Sequence, residues 1–210
     1  MRGGIFISFE GIEGSGKTTQ ARLLRDYLKA KGYTVMLTKE PGGTRIGEKL
    51  RTLLLDAGHI EMDAVTELFL YAASRRQHTK ELIIPGLDRG EVVITDRFID
   101  STKAYQGYAR GIDILFIDSV NRAVTGGILP HLTLLLDVDV ETGLRRNKAK
   151  QSDRIELEAA EFHSAVREGY LALQRENSGR IKLIDASGKP EETHKKVIEA
   201  VTAFLAKRGQ

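Results

Sequence analysis

The sequence predicts an α/β fold with three layers: a five-stranded parallel sheet flanked by helices. Short apolar runs alternate along the chain with segments of helical periodicity, the pattern of a sheet covered on both faces. Runs such as residues 92–95 (VVIT) and 132–136 (LTLLL) are apolar at consecutive positions, as strands buried on both sides are. The first run, residues 5–9, leads into a glycine-rich turn that opens a helix.

Each element follows in order. Residues 5–9 are the first strand. Residues 18–31 read as a helix with Leu23, Leu24, Tyr27 and Leu28 on one face and Gly32 past its end. Residues 34–38 are the second strand. Residues 46–55 are a helix, and residues 64–84 are a longer one that Pro85 ends. Residues 92–95 are the third strand, 114–124 a helix and 132–136 the fourth strand. Residues 140–146 begin a further helix, the polar stretch 147–153 interrupts it, and residues 157–177 resume it. Residues 181–184 are the fifth strand, and residues 191–207 the closing helix. With no internal repeat and no long linker, residues 1–210 read as one domain, with a short lid at about 145–156.

Composition narrows the function. Hydrophobic residues are 41% of the chain and charged residues 29%, ordinary values for a globular protein. The absence of cysteine excludes disulfides and thiolate metal sites. No signal segment or membrane-length apolar run is visible, so a soluble cytoplasmic protein is expected. The net charge is +3 and the pI about 9.0. The cations are interleaved with acids rather than gathered in a basic stripe. Anionic small molecules account for the excess, and neither a nucleic-acid nor a membrane partner is expected.

The segment Gly11-Ile12-Glu13-Gly14-Ser15-Gly16-Lys17-Thr18 matches G-x-x-x-x-G-K-[ST] between a strand and a helix. Its glycines let successive backbone N–H groups point at one phosphate, and the helix that follows adds the positive end of its dipole. Lys17 supplies charge for the β/γ-phosphates and Thr18 a hydroxyl for Mg²⁺. Glu40-Pro41-Gly42-Gly43-Thr44 ends the second strand, on the edge where parallel sheets bind ligands. Asp96 ends the third strand and can hold the metal's hydration shell. Asp137, after the fourth strand, competes for that role, but only Asp96 has a neighbouring Arg97 that can reach a phosphate. Tyr71 and Arg75 are one helical turn apart and can share a face, either as a base-binding pair or as a core tyrosine and a solvated arginine. Ser101, Tyr105, Gln106 and Tyr108 offer hydroxyls and an amide in a loop after Arg97, as sugar or base recognition needs.

Residues 145–154 hold five cations. The phosphate loop contains no arginine, so a lid that closes over ATP should bring charge from this stretch to the γ-phosphate. The histidines His59, His78, His131, His163 and His194 have no metal-ligand spacing and read as structural or surface residues.

Taken together, GIEGSGKTT, EPGGT, YAASRRQH, TDRFIDSTKAYQGYARG, DRIE and DASGKPEE resemble bacterial thymidylate kinase, nearly end to end. The resemblance implies a P-loop NTPase fold and transfer of the ATP γ-phosphoryl group to dTMP, with Mg²⁺, in a homodimer. It implies that Gly11 to Thr18, with Thr19, bind the ATP phosphates and that Asp185 and Ser187 lie on the adenine side. It places Glu13 near the acceptor sugar and the metal, and Thr18 and Asp96 at Mg²⁺. Arg97 would contact the acceptor phosphate and Arg51 lie near it, beside Glu40 and Pro41. Tyr71 would stack on thymine while Arg75 bonds its edge. Ser101, Tyr105 and Gln106 would complete the pocket, and Tyr170 would close the ribose side. The catalytic lid cation is expected among Lys148, Lys150 and Arg154. Ser74 stands where the family has Asp or Asn.

Overall fold

The computed structural model describes residues 3–147 and 153–208. Five strands, β1 (Ile5–Glu10), β2 (Val35–Lys39), β3 (Val92–Asp96), β4 (Leu132–Asp137) and β5 (Ile181–Asp185), pair in the order β2-β3-β1-β4-β5. Every pairing is parallel, as the continuous apolar runs require. The helices are α1 (Lys17–Ala30), α2 (Arg45–Leu55), α3 (Ala64–His78), α4 (Ile84–Asp88), α5 (Ile99–Thr102), α6 (Ile114–Thr125), α7 (Val140–Asn147), α8 (Ala160–Glu176) and α9 (Pro190–Arg208).

The period of two in β1 divides the core. Ile7 and Phe9 pack under α1 and α9, against Leu24, Leu28, Val197 and Val201. Phe6 faces the other side and meets Ile83, Leu87, Val93 and Phe98. Ser8 and Glu10 have the parity of Phe6. The Ser8 hydroxyl bonds the Thr133 hydroxyl at 2.8 Å, and both residues are fully buried. In register, Phe9 lies opposite Asp96, and Asp96 opposite Lys39. The loops after β1, β2 and β3 therefore leave the sheet side by side, on its carboxyl edge.

The structure departs from the sequence reading in three places. Pro85 does not end the long helix. A π-helical turn, Thr79–Ile83, intervenes, and Pro85 sits in the first turn of α4, where its missing N–H is not needed. The residues after Arg97 are helical rather than a loop: α5 continues into a second π-helical segment, Lys103–Ala109. The helix expected from residue 157 starts at Ala160. Before it, the Asp153 carboxylate accepts from the Ile155 and Glu156 N–H groups and winds the chain into a turn.

Leu24 is fully buried between α1 and the sheet. Leu24→Ala is expected to lower stability by about 3 kcal/mol, read as a shifted midpoint in urea unfolding with an unchanged slope.

Candidate active site

The phosphate loop joins β1 to α1 through three left-handed glycines, Gly11, Gly14 and Gly16. At Gly14 the conformation and the space agree: φ is 71°, and a Cβ there would stand 2.0 Å from the Gly143 carbonyl oxygen. Gly16 precedes α1 without any side-chain cap, leaving the first N–H groups of the helix to an anion. The loop borders a cleft of about 840 Å³ lined by Glu13, Gly14, Lys17 and Thr18 on one side. Gly43, Arg51, Tyr71, Arg75, Asp96 and Arg97 line it as well. The structure thus brings the phosphate loop, the EPGGT turn, the Tyr71–Arg75 face and the Asp96–Arg97 step into one cavity.

Lys17 is buried, and its Nζ donates to the Ile12 carbonyl at 2.7 Å. Burial, with the positive charge of Arg97, lowers its pKa to about 8, against the opposing pull of Asp96, Glu13 and Glu10. The Thr18 hydroxyl donates to Asp96 Oδ2 at 2.5 Å. Asp137 is committed elsewhere: Arg167 holds it through bonds of 2.7 and 2.9 Å. The geometry therefore favours Asp96 of the two acids.

Arg97 has a left-handed backbone, φ 74°, a strained conformation for a non-glycine residue. Its Nη2 donates to Glu13 Oε1 at 2.7 Å. Its Nη1 reaches the Gly11 carbonyl, Ser101 Oγ and the Tyr170 hydroxyl at 3.0, 3.3 and 3.2 Å. The Tyr105 hydroxyl donates to Glu13 as well, at 2.6 Å. Burial alone would raise the Glu13 pKa, but Arg97, His163, Lys17 and Tyr105 together hold it well below the usual carboxylate range.

Sequence reasoning missed Glu10. This carboxylate is fully buried under the site, accepting from the Phe98 N–H at 2.7 Å, Ser101 Oγ at 2.6 Å and the Tyr170 hydroxyl at 3.0 Å. Burial, then repulsion from Asp100, push its pKa up to about 7. The signal was its parity with Phe6 and Ser8. His163 was also missed: it is buried, with Nδ1 3.6 Å from Glu13 Oε2. His78 is a structural residue, bonded to Glu40 Oε1 at 2.7 Å.

Several expected residues stand elsewhere. Tyr170 does not line the cleft; its hydroxyl bonds Ser101 and Glu10 and meets Arg97 Nη1. Arg154 is buried against Glu67, with Nη2 2.5 Å from Oε2, and donates to the Leu54 carbonyl. Lys148 and Lys150 fall outside the described residues. The Glu40 carboxylate is spent on Arg75 and His78. Arg75 is not solvated: it is 2% exposed and bonds Glu40, Thr102, Asn121 and the Phe98 carbonyl. Arg51 donates to the Pro41 carbonyl. Ser101, Tyr105 and Gln106 do line the cleft, but from a helix. Thr19 is exposed, one step beyond Thr18. Asp185 and Ser187 lie outside this cavity, in a turn that Arg146 fastens through the Ala186 and Ser187 carbonyls at 2.9 and 2.8 Å.

A family model described as thymidylate kinase matches residues 9–197. A thymidylate kinase of Caldanaerobacter subterraneus subsp. tengcongensis is 48% identical over 202 residues, covering 96% of this chain and 97% of its own. One from Desulfovibrio desulfuricans is 46% identical, covering 98% of this chain and 99% of its own. The crystal structure of thymidylate kinase from Ehrlichia chaffeensis superposes with a TM-score of 0.79 at 38% identity, over 94% of this chain and 98% of that one.

Because the Glu10 pKa is raised from 4.5 to about 7, its protonated form stabilises the fold fully below pH 4.5. That contribution is lost as pH rises through about 7. Glu10→Gln is expected to remove this fall. Urea unfolding at pH 5 and pH 7.5 checks it: wild type should lose stability relative to the variant at the higher pH, and parallel behaviour would contradict the assignment.

Proposed function

This chain belongs to the thymidylate kinase family and phosphorylates dTMP, and from that premise we propose how its own residues do so. The observation that carries the reading is the single cleft shared by the phosphate loop, Arg97 and the Tyr71–Arg75 face. ATP is the donor. Its β- and γ-phosphates rest on the N–H groups of residues 11–18, and Lys17 turns from the Ile12 carbonyl to them. Asp185 and Ser187 border the adenine. The acceptor phosphate of dTMP takes Arg97, with Arg51 near it, while Tyr71 stacks on thymine and Arg75 bonds the base edge.

The Thr18 hydroxyl and the Asp96 carboxylate, 2.5 Å apart, are hard oxygen donors at the edge of the phosphate loop. They fit Mg²⁺, which takes few protein ligands and completes its shell with phosphate and water. When bound, the ion neutralises charge on the transferring phosphoryl group. Glu13 borders that region and holds Arg97 in place. The acceptor phosphate is already an anion, so in-line attack on the γ-phosphorus requires positioning and charge rather than a strong base. Arg154 is held by Glu67 and Arg146 by the 186–188 turn. The cation that meets the γ-phosphate is assigned to the same stretch, to Lys148, Lys150 or Arg154. Their lid spans about residues 145–156 of one domain and excludes water on closing.

A second copy completes the assembly. Phe69 of α3 and Phe116 of α6 meet edge to face with ring centroids 6.3 Å apart, yet Phe69 is 52% exposed and the adjacent Leu115 75%. Val65 extends this apolar face, which supports a homodimer formed through α3 and α6. Among the described residues no helix is long and apolar enough to cross a membrane. We place the enzyme in the cytoplasm.

Lys17→Ala is expected to lower kcat by about a hundredfold or more with an unchanged circular-dichroism spectrum. In the same coupled assay, dTMP should exceed dUMP, UMP, CMP and AMP as acceptor. A Lys17→Ala enzyme with full kcat, or a preference for UMP over dTMP, would overturn the mechanism. For the assembly, light scattering should give twice the chain mass for wild type and a single chain mass for Phe69→Glu.

A further inference from the structure

Glu67 lies one helical turn before Tyr71 and two before Arg75, so the three share a face of α3. Its side chain is 1% exposed; it accepts hydrogen bonds from Gln106 and Arg110 and forms an ion pair with Arg154. Gln106 Nε2 reaches Oε1 at 2.8 Å. Arg110 approaches both oxygens at 3.3 Å. Arg154 Nη2 stands 2.5 Å from Oε2. An ionised carboxylate between two guanidinium groups is an acceptor only. A glutamine amide has a donating end and an accepting end, and Glu67 tolerates only the NH₂ end. The Gln106 oxygen must then point along the other fork of the amide. Gln106 is 2% exposed and lines the cleft beside Tyr71, Arg75 and Ser101. Among the described residues no hydrogen bond is made to that oxygen.

We propose that Glu67 sets the base preference of this enzyme by fixing the orientation of the Gln106 amide. The inference rests on the reading of dTMP as acceptor and deepens it. Held by Glu67, Gln106 presents an acceptor to the pyrimidine edge. The imide nitrogen N3 of thymine carries a proton and satisfies that acceptor; N3 of cytosine carries a lone pair and repels it. Arg75 sharpens the choice. Its Nη2 spends one N–H on the Phe98 carbonyl and retains another, a donor suited to the C4 carbonyl of thymine and not to the C4 amino group of cytosine. A flipped Gln106 would offer its NH₂ to N3 of cytosine, and a buried carboxylate forbids that flip at the cost of leaving two like oxygens face to face. Glu67 touches no substrate, so it is a positioning residue. Through Arg154, the same carboxylate also ties α3 to the turn before α8.

The test compares dTMP with 5-methyl-dCMP, which keeps the methyl group and changes only the edge. In Glu67→Gln the residue at 67 can either accept or donate, so the Gln106 amide is free to turn. The preference for dTMP in kcat/KM is expected to fall about tenfold, mainly through KM. In Gln106→Leu the preference also falls, and adding Glu67→Gln to that variant should change the preference no further. A Glu67→Gln enzyme that is slower on both acceptors with an unchanged ratio would make Glu67 a packing residue and overturn the proposal alone. Wild-type enzyme inactive on dTMP would overturn the underlying reading with it. Should Glu67→Gln fail to fold, nitrogen-15 spectra of wild type decide the matter. The Gln106 NH₂ protons should exchange slowly and hold their shifts when dTMP binds. A large shift on dTMP binding would place the NH₂ against the base and refute the assignment.

Discussion

The ion pair between Arg97 and Glu13 is the contact on which the rest of the site depends. At 2.7 Å it ties the end of β3 to the phosphate loop after β1, across a strand boundary where Phe9 and Asp96 lie in register. It keeps Arg97 in a left-handed conformation that only a surrounding network sustains. Gly11, Ser101, Tyr105 and Tyr170 supply that network. Removing either partner would leave a largely buried charge without its counterpart, a loss of about 3–5 kcal/mol. The pair is therefore both part of the geometry of the cleft and a condition of its stability.

Three carboxylates repeat one device at different depths. Glu10 gathers Phe98, Ser101 and Tyr170. Glu40 gathers Arg75 and His78. Glu67 gathers Gln106, Arg110 and Arg154. Glu10 and Glu67 lie behind the cleft wall and Glu40 at it, and each is nearly devoid of solvent contact. Each spends its oxygens on side chains that face the cavity or brace a residue that does. A buried acid is a costly way to stabilise a fold; here it fixes which end of an amide or guanidinium points inward. The cleft is lined by oriented donors and acceptors because a second layer of acceptors leaves them no alternative.

This layering explains what could be read from the chain. The phosphate loop, Asp96, Arg97 and the EPGGT turn are contiguous or sit at strand ends, so spacing and parity reveal them. The sheet was legible for the same reason, since apolar runs and helical periods are local. The second layer is not local. Tyr170 reaches Glu10 across 160 positions, and Arg154 finds Glu67 from the far side of β3 and β4. From sequence, the acid partners of both were invisible. Two signals were nevertheless present. Residue 10 has the face parity of Phe6, and Glu67 precedes Tyr71 and Arg75 by whole helical turns. His163 had no such signal, and only the packing of α8 brings it to Glu13.

Lys17, Arg97, Glu10, Glu13 and Asp96 place two cations and three acids around a few ångströms of backbone. In the free protein they satisfy one another and the Ile12 and Gly11 carbonyls. The cost of desolvating them is met on folding, which is why Lys17 loses basicity and Glu10 loses acidity. A phosphate entering this ring need not bury a new protein charge. On the proposed reading it meets an Arg97 that Glu13 already holds in place, and Lys17 exchanges a neutral carbonyl for an anion. That exchange favours the charged form of Lys17, so binding an anion opposes the lowering of its pKa by burial. Charged groups held ready in this way require little reorganisation when the phosphoryl group transfers, and preorganisation of that kind is the largest electrostatic lever an enzyme has on such a reaction.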